Sequence, residues 1–173
     1  MNWLYNLIYG QKDREIESLR LENNLLNEKL KKYIYKINIP KVYGKITSQE
    51  EVKLLMDLFR CPINITDDYL LLTSKEEAEQ FIKDSKIQYK KWVKEDYDCD
   101  NFSASLYGYW SDSLKSFAFG MARSSNHQFN IFIDKDKKVW IVEPQNGKFY
   151  TPEEALKATS PDGLNYKITY IWL

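Results

Sequence analysis

The sequence contains few of the residues that hold a small fold together covalently or through metal ions. It has two cysteines and one histidine in 173 residues. Two cysteines do not make a disulfide framework in a chain of this length, so we expect a reducing compartment and a cytoplasmic protein. The first ten residues are largely apolar but lack a basic segment and a small-residue cleavage site, so no secretory signal is predicted.

Long apolar runs and an excess of either charge are also missing. No apolar stretch approaches the ~20 residues that span a bilayer, so no transmembrane segment is predicted. The 25 basic and 25 acidic side chains balance, which argues against a nucleic-acid partner. Apolar residues make up 43% of the chain, and 13 Tyr, 8 Phe and 5 Trp supply the bulk for a well-filled core. The length suits one globular domain plus an appendage.

A heptad pattern predicts that the appendage is a helix over residues 12–37. The steps of three and four that mark the a and d positions of a coiled coil run through Ile16, Leu19, Asn23, Leu26, Leu30, Tyr33 and Ile37. Asn23 occupies an a position, where an amide favours a parallel dimer of fixed register. A helix that lies on its own domain is the alternative. We divide the chain near Pro40 into a coiled-coil oligomerisation helix, residues 1–40, and a globular domain, residues 41–173.

The first part of the globular domain carries signals for two helix starts. Ser48 and Glu51 have the spacing of a capping box, and Thr73 or Ser74 should cap a second helix. A short apolar strand is predicted between these helices, at residues 69–72. Helices and strands therefore mix in this domain, as in an α+β fold.

Two strands joined by a short turn are predicted in the second half of the chain. They comprise residues 127–133 and 139–145. An odd number of loop residues places the odd-numbered positions of both strands on one face, and the hydrophobic alternation favours that register. His127 and Glu143 then share a face at the rim of the core. Gln145 has the same parity, and a five-residue loop would place it directly opposite His127.

Cys99 follows Asp98, a residue typical of helix N-caps, and is predicted to lie in the first turn of a helix. The positive end of the helix dipole favours a thiolate there, whereas the carboxylates of Asp98 and Asp100 disfavour it. Cys99, His127 and Glu143 together form a complete nucleophile set. His127 would take the thiol proton, and Glu143 would orient the ring. The alternatives are a small buried cysteine and a histidine bonded to Glu143 for stability alone.

Four short motifs accompany these residues: Asp-Cys-Asp-Asn-Phe at 98–102, Phe-Ala-Phe-Gly-Met-Ala at 117–122, His-x-Phe-Asn at 127–130 and Val-Glu-Pro-Gln at 142–145. They resemble the core of papain-like and transglutaminase-like thiol enzymes. More narrowly, they resemble the C-terminal cysteine-peptidase domain of a fungal agglutinin and small phage and bacterial relatives, over about residues 66–150. The resemblance implies an α+β papain-like core, with the nucleophile helix packed on a small antiparallel sheet and Cys99, His127 and Glu143 as the catalytic residues.

One position departs from the papain pattern. Papain-type enzymes have an oxyanion-hole glutamine six residues before the nucleophile, and this sequence has Val93 there. A second oxyanion donor is then expected from Trp92, Gln88 or Gln145. The residues assign no metal site and no cofactor. The resemblance alone adds a divalent metal such as calcium, for which Asp98, Asp100, Asp134 and Asp136 are weak candidates.

The leading hypothesis is a thiol-dependent hydrolase or peptidase that cleaves an amide bond of a peptide or protein substrate through a thioester intermediate. The alternative is a non-catalytic structural or interaction module that retains the papain-like fold, in a phage-encoded or virion-associated setting. A carbohydrate-binding role ranks third, behind these two, because the resemblance is to the peptidase part of the agglutinin and not to its sugar-binding part. A homo-oligomer formed through the N-terminal helix is expected with each.

Overall fold

A computed structural model describes residues 2–34 and 38–173, with side chains in the first helix described from Lys12 to Lys29. The chain divides into two compact units, Met1–Asn38 and Ile39–Leu173. The helices are α1 (Asn2–Ile34), α2 (Ser48–Phe59), α3 (Lys75–Ser85), α4 (Cys99–Ser111) and α5 (Pro152–Ala155). The strands are β1 (Gly44–Thr47), β2 (Ile63–Asn64), β3 (Tyr69–Leu72), β4 (Phe119–Arg123), β5 (Gln128–Ile133), β6 (Val139–Glu143), β7 (Lys148–Tyr150) and β8 (Tyr170–Trp172). The predicted α+β class is confirmed.

The described part of the N-terminal unit is one helix that starts earlier than predicted. It begins at Asn2 rather than at residue 12 and continues to Ile34. Every described side chain in it is exposed. The backbone at 35–37 and the side chains of Leu30, Tyr33 and Ile37 lie outside the described residues, so association through this helix stays a prediction. Within the described residues, every helix is too short or too polar to span a bilayer.

The globular unit is built on two sheets. β1 and β3 form an antiparallel pair, and six further strands form a sheet of order β2-β8-β4-β5-β6-β7. Neighbouring strands in the larger sheet are antiparallel except for β2 and β8, which run parallel. β5 is therefore an interior strand with α4 packed against it.

Alternation along β5 explains why both faces of the sheet are covered. Phe129, Ile131 and Ile133 belong to one buried apolar cluster, which also takes in Ile141 from the neighbouring strand. Phe132 points to the other face, where its ring stacks with Trp110 of α4 at 6.1 Å between ring centroids. Burial on both faces fixes the register, because a one-residue slip would exchange the two sets of side chains.

The start of α2 differs from the prediction by one residue. Thr47, not Ser48, is the N-cap, and its hydroxyl accepts a hydrogen bond from the Glu50 backbone N–H. The Glu50 carboxylate accepts a bond from the Thr47 backbone N–H at 3.0 Å and completes the capping box. Glu51, predicted as the capping acid, is instead fully buried, and neither of its carboxylate oxygens has a hydrogen-bond partner among the described residues.

The second helix start and the short strand agree with the prediction. Ser74 caps α3 by accepting a hydrogen bond from the Glu77 backbone N–H at 3.2 Å. The apolar strand at residues 69–72 is β3.

Gly120 in β4 lies where two strands approach too closely for a side chain. A Cβ atom there would be 2.2 Å from the backbone oxygen of Trp172 and 2.8 Å from Cγ of Leu173.

We expect Gly120→Ala to lower the free energy of unfolding by about 1–3 kcal/mol, which is typical when an extra methyl group overpacks a core. Gly108→Ala in α4 is the matched control, because no described atom outside the adjoining turns of its own helix lies within 4 Å of the added Cβ. It should raise stability by up to ~1 kcal/mol. Urea unfolding of both variants measures the difference, and equal effects would contradict the proposed clash.

Candidate functional site

Cys99 is the first residue of α4, the helix that packs against β4 and β5. Asp98 occupies the N-cap position in extended conformation, and its backbone N–H donates to the side-chain oxygen of Asn101 at 3.3 Å. The predicted helix start is thus confirmed, and the Cys99 side chain is partly exposed. Asp98 also hydrogen-bonds to Asp100, and this contact, with some burial, raises the pKa of Asp98.

Polar contacts through the core hold α4 against β4 and β5. The Asn130 amide nitrogen donates to the backbone oxygens of Ser103 and Gly120, at 3.1 and 3.0 Å. The Ser103 hydroxyl donates to the backbone oxygen of Phe129 at 3.0 Å. Asn130 and Ser103 are both fully buried. Because these bonds are shielded from water, they fix the start of α4 relative to the strand that follows His127.

The register of β5 and β6 brings His127 and Glu143 together. Ile133 pairs with Val139 across a five-residue loop, the odd-numbered case that the alternation predicted. His127 Nε2 lies 2.8 Å from Glu143 Oε2, and both side chains are fully shielded from solvent. The predicted meeting of imidazole and carboxylate is therefore observed.

Glu143 is a buried carboxylate with three hydrogen-bond donors. Besides His127, Oε2 accepts from the Tyr166 hydroxyl at 2.7 Å. Oε1 accepts from the backbone N–H of Gln145 at 2.9 Å. Burial and the neighbouring Glu143 charge raise the pKa of Tyr166, so its hydroxyl keeps the proton that it donates. Hydrogen-bond donors to both oxygens offset the free-energy cost of burying the Glu143 carboxylate.

Tyr166 is the member of this network that sequence reasoning missed. It lies in the segment between α5 and β8, and its ring packs against Phe129 at 5.1 Å and against His127 at 5.4 Å between centroids. The sequence around it carries no strand or helix periodicity that would mark a buried position. Only the fold places it beside Glu143.

His127 is protonated more readily than an ordinary histidine. Burial lowers its pKa, but hydrogen bonds to Cys99 and Glu143 and the charges of these two groups outweigh burial and raise the pKa to about 9. Within the described residues, Nδ1 has no hydrogen-bond partner. Cys99 lies close enough to His127 to contribute to the raised pKa. The His127 ring therefore carries a positive charge beside the Glu143 carboxylate at neutral pH.

Above these groups is an open recess of about 270 Å³, which we call the Cys99 recess. Its walls mix acids, amides, one thiol and one arginine: Asp98, Cys99, Asp100, Arg123, Asn126, His127 and Gln128. Arg123 is the exposed basic side chain among them, whereas the His127 ring is buried. The recess is polar and shallow, and it lies where the turn between β4 and β5 meets the start of α4.

Two residues expected to support an oxyanion do not lie in the recess. Trp92 is partly exposed and is not among the lining residues. Gln145 acts through its backbone N–H, and its side-chain nitrogen lies 3.4 Å from a carboxylate oxygen of Asp162.

The acids considered as metal ligands have other partners. Asp134 accepts bonds from the backbone N–H groups of Asp136 and Lys138, both at 2.9 Å, and from the Trp140 indole at 2.8 Å. It organises the turn between β5 and β6. Asp136 pairs with Lys135 at 2.9 Å. In the part of the chain that the structure describes, no group of three or more His, Cys, Asp or Glu side chains could hold a metal ion.

Comparison with known proteins yields structural neighbours only. No family model and no curated protein matches the chain. A complex of PSL1a with E64 has the same fold at a TM-score of 0.58 and 20% identity, over 75% of this chain and 50% of that one. The Polyporus squamosus lectin bound to the human-type influenza-binding epitope Neu5Acα2-6Galβ1-4GlcNAc is similar at a TM-score of 0.56 and 20% identity, over 75% and 49%. The chain thus spans about half the length of these neighbours.

These neighbours correct the interpretation drawn from the short motifs. The solved structures are those of a sugar-binding lectin, and neither is described as a peptidase or hydrolase. The predicted papain-like identity and the peptidase function are therefore wrong, as is the peptide substrate, and the phage setting has no support. The motifs do mark a real helix start and real strands, but such elements recur in folds with unrelated functions.

Proposed function

We propose that the globular unit is a non-catalytic interaction module that binds a carbohydrate in the Cys99 recess. The lectin neighbours favour a binding module over a hydrolase. One feature of this chain carries the choice of ligand, namely the guanidinium of Arg123 at the rim of the recess. The fold similarity alone would not select a ligand, because function depends on the site rather than on the fold.

Arg123 is suited to hold an anionic sugar. Its backbone oxygen accepts bonds from the N–H and hydroxyl of Thr169, at 2.7 and 3.0 Å, which fix the strand at this point. Within the described residues its guanidinium makes no ion pair, so the planar donors remain for a ligand. Arginine binds carboxylates through two parallel hydrogen bonds. An N-acetylneuraminic acid residue, such as that of the epitope on the lectin neighbour, carries a carboxylate of this kind.

The amide side chains of the recess complement sugar hydroxyls. Asn126 uses its oxygen to accept from Asn165 at 3.0 Å, which leaves its amide hydrogens as donors. Gln128 uses its amide nitrogen toward the sulfur of Met121 at 3.7 Å, which leaves its oxygen as an acceptor. Tyr170 pairs with Arg123 across β4 and β8 and is 41% exposed. Its ring provides a flat apolar surface beside the arginine.

In this proposal the predicted catalytic residues have binding and positioning roles. Cys99 and His127 form part of the recess wall, and Glu143 holds the His127 ring through the 2.8 Å contact. The absence of a side-chain oxyanion donor at position 93, where this sequence has valine, agrees with a module that holds its ligand without cleaving it.

Titration of the full chain with Neu5Acα2-6Galβ1-4GlcNAc tests the proposal. We expect saturable binding, and we expect Arg123→Ala to weaken it by about tenfold or more, because a charge-assisted pair is lost. Galβ1-4GlcNAc, which lacks the carboxylate, should bind the unmodified protein more weakly by a similar factor. Isothermal titration calorimetry measures both affinities, and NMR spectra of the sugar after incubation report whether it is chemically unchanged.

Arg60→Ala is the matched control, because Arg60 is also an exposed arginine but caps the C-terminus of α2 outside the recess. It should leave the affinity within about twofold. Absence of saturable binding, equal affinity for both sugars, or an Arg123→Ala variant that binds like wild type would contradict the proposal. Conversion of the sugar to another compound would overturn the non-catalytic assignment.

A further inference from the structure

We propose that α1 forms a parallel, in-register, two-stranded coiled coil with a second copy of this chain. The contact surface, which we call the seam, consists of Ile16, Leu19, Asn23 and Leu26. This inference concerns the N-terminal unit alone and does not depend on the carbohydrate proposal.

The seam is an apolar stripe with no described partner. Ile16, Leu19 and Leu26 are 48%, 59% and 56% exposed, and all lie on the a and d positions of one heptad frame. In a coiled coil, each side chain at an a or d position packs into the space between four side chains of the facing helix, which is called knobs-into-holes packing. Leaving such a stripe in water is unfavourable by roughly 25 cal/mol per Å² of apolar surface.

Charge complementarity beside the seam selects a second copy as the occupant. In a parallel, in-register pair, the residue just before an a position is a g position, and the residue just after the next d position is an e position. The g residue of one helix lies next to this e residue of the other helix. Glu15 precedes Ile16, and Arg20 follows Leu19. The Glu15 of each chain therefore faces the partner's Arg20, and the dimer contains two such pairs of opposite charge. An antiparallel pair would not bring these two side chains together.

Asn23 adds a preference for two strands in a fixed register. It lies at an a position, where its amide would meet the same amide of the other copy. In the single chain, its side-chain oxygen accepts a hydrogen bond from Asn27 at 3.2 Å, one turn further along the exposed helix. Its own amide hydrogens therefore remain for the partner.

The helix contains its own control for the seam. Leu21 and Leu25 are 65% and 57% exposed, comparable to Leu19 and Leu26, but they lie outside the a and d positions. Replacing Leu19 and Leu26 together by lysine should raise the dimer dissociation constant at least tenfold, because two knobs are lost. Replacing Leu21 and Leu25 together by lysine should change it by less than about threefold, because neither residue faces the partner.

Sedimentation equilibrium of the full chain measures these constants, and tryptophan fluorescence reports that the globular unit stays folded in each variant. A charge exchange then tests orientation. Glu15→Arg and Arg20→Glu should each weaken the dimer, and the double variant should restore it, because the pair re-forms between chains. A monomeric wild type, equal effects of the two leucine double variants, or a charge-exchanged double variant as weak as the single ones would overturn the proposal.

Discussion

Glu51→Gln is expected to stabilise the globular unit, with a gain that grows as the pH rises. The Glu51 side chain is fully buried, and within the described residues neither carboxylate oxygen has a hydrogen-bond partner. Burial raises the pKa of Glu51 from 4.5 to about 8, so the folded chain keeps this carboxyl protonated at neutral pH. Glutamine retains the shape without the ionisable proton.

The sign of the pH dependence follows from linkage. A raised pKa means that the folded state binds the proton more tightly than the unfolded state. The stability associated with Glu51 is therefore fully present below pH 4.5 and is lost as the pH rises toward about 8. Each factor of ten in proton affinity is worth ~1.4 kcal/mol, so the accumulated loss approaches roughly 5 kcal/mol above pH 8. Urea unfolding of wild type and variant at pH 5, 7 and 9 measures it.

Glu50→Gln is the neighbouring control and should give no gain at any of these pH values. Its exposed carboxylate caps α2, pairs with Lys137 at 2.9 Å and has a pKa lowered to about 2, chiefly by the hydrogen bond from the Thr47 backbone. A Glu51→Gln gain of the same size at pH 5 and pH 9 would show that charge is not the cause.

His127 is expected to titrate near pH 9, and Glu143→Gln should lower its pKa to roughly 7 or below. The substitution removes the negative charge and the strong hydrogen bond of Glu143. Both raise the pKa of His127, whereas burial of the ring lowers it. A fall of this size is about a hundredfold loss of proton affinity. Because the chain has one histidine, its ring C–H signals in an NMR titration need no assignment by mutation.

The same network makes folding stability depend on pH. Since the pKa of His127 is raised from 6.5 to about 9, the stability it provides is fully present below pH 6.5 and is lost as the pH rises through 9. Gln145→Ala is the control, because Gln145 contacts Glu143 only through its backbone N–H, and it should leave the titration unchanged. A His127 signal that titrates near 6.5 in wild type, or one indifferent to Glu143→Gln, would contradict the network.

The sequence was sufficient to predict the hairpin that carries the site. Alternation in β5 and β6 selects a loop with an odd number of residues, because slipping by one residue would exchange a wholly apolar face for the other. A three-residue or a five-residue loop would each bring His127 and Glu143 to one face, and the five-residue case is observed. Tyr166 could not be predicted, because its position follows from how an irregular segment, far along the chain, folds back over Glu143.

The start of α2 contains two possible capping boxes that differ by one position in the sequence. Ser48 with Glu51 and Thr47 with Glu50 have the same spacing, and either pair could cap a helix. Packing decides between them, since Leu55 is buried whereas Met56 is 44% exposed. The choice that buries Leu55 also buries Glu51 one turn earlier. No local signal marks an unpaired acid at that position.

Function was less predictable than structure for a related reason. The motif around Cys99 correctly predicted a helix start, and the parity of the strands correctly predicted a histidine–carboxylate contact. Both features describe how the chain folds. In the proposed function, the ligand is selected by Arg123, Asn126 and Gln128, which no motif singled out because they are ordinary surface residues in the sequence.

The position of β8 has a consequence for the rate of folding. β8 is the last strand in chain order, yet it lies inside the larger sheet, where Ile171 pairs with both Ile63 and Ala122. The parallel pairing with β2 joins residues more than one hundred positions apart, whereas β4 to β7 form from neighbouring segments. Long-range pairing requires the entropy of a large loop to be lost before any contact compensates for it. We therefore expect the docking of β8 between β2 and β4 to be the slow topological step, and until it occurs the edge of β4 would remain open to pairing with other chains.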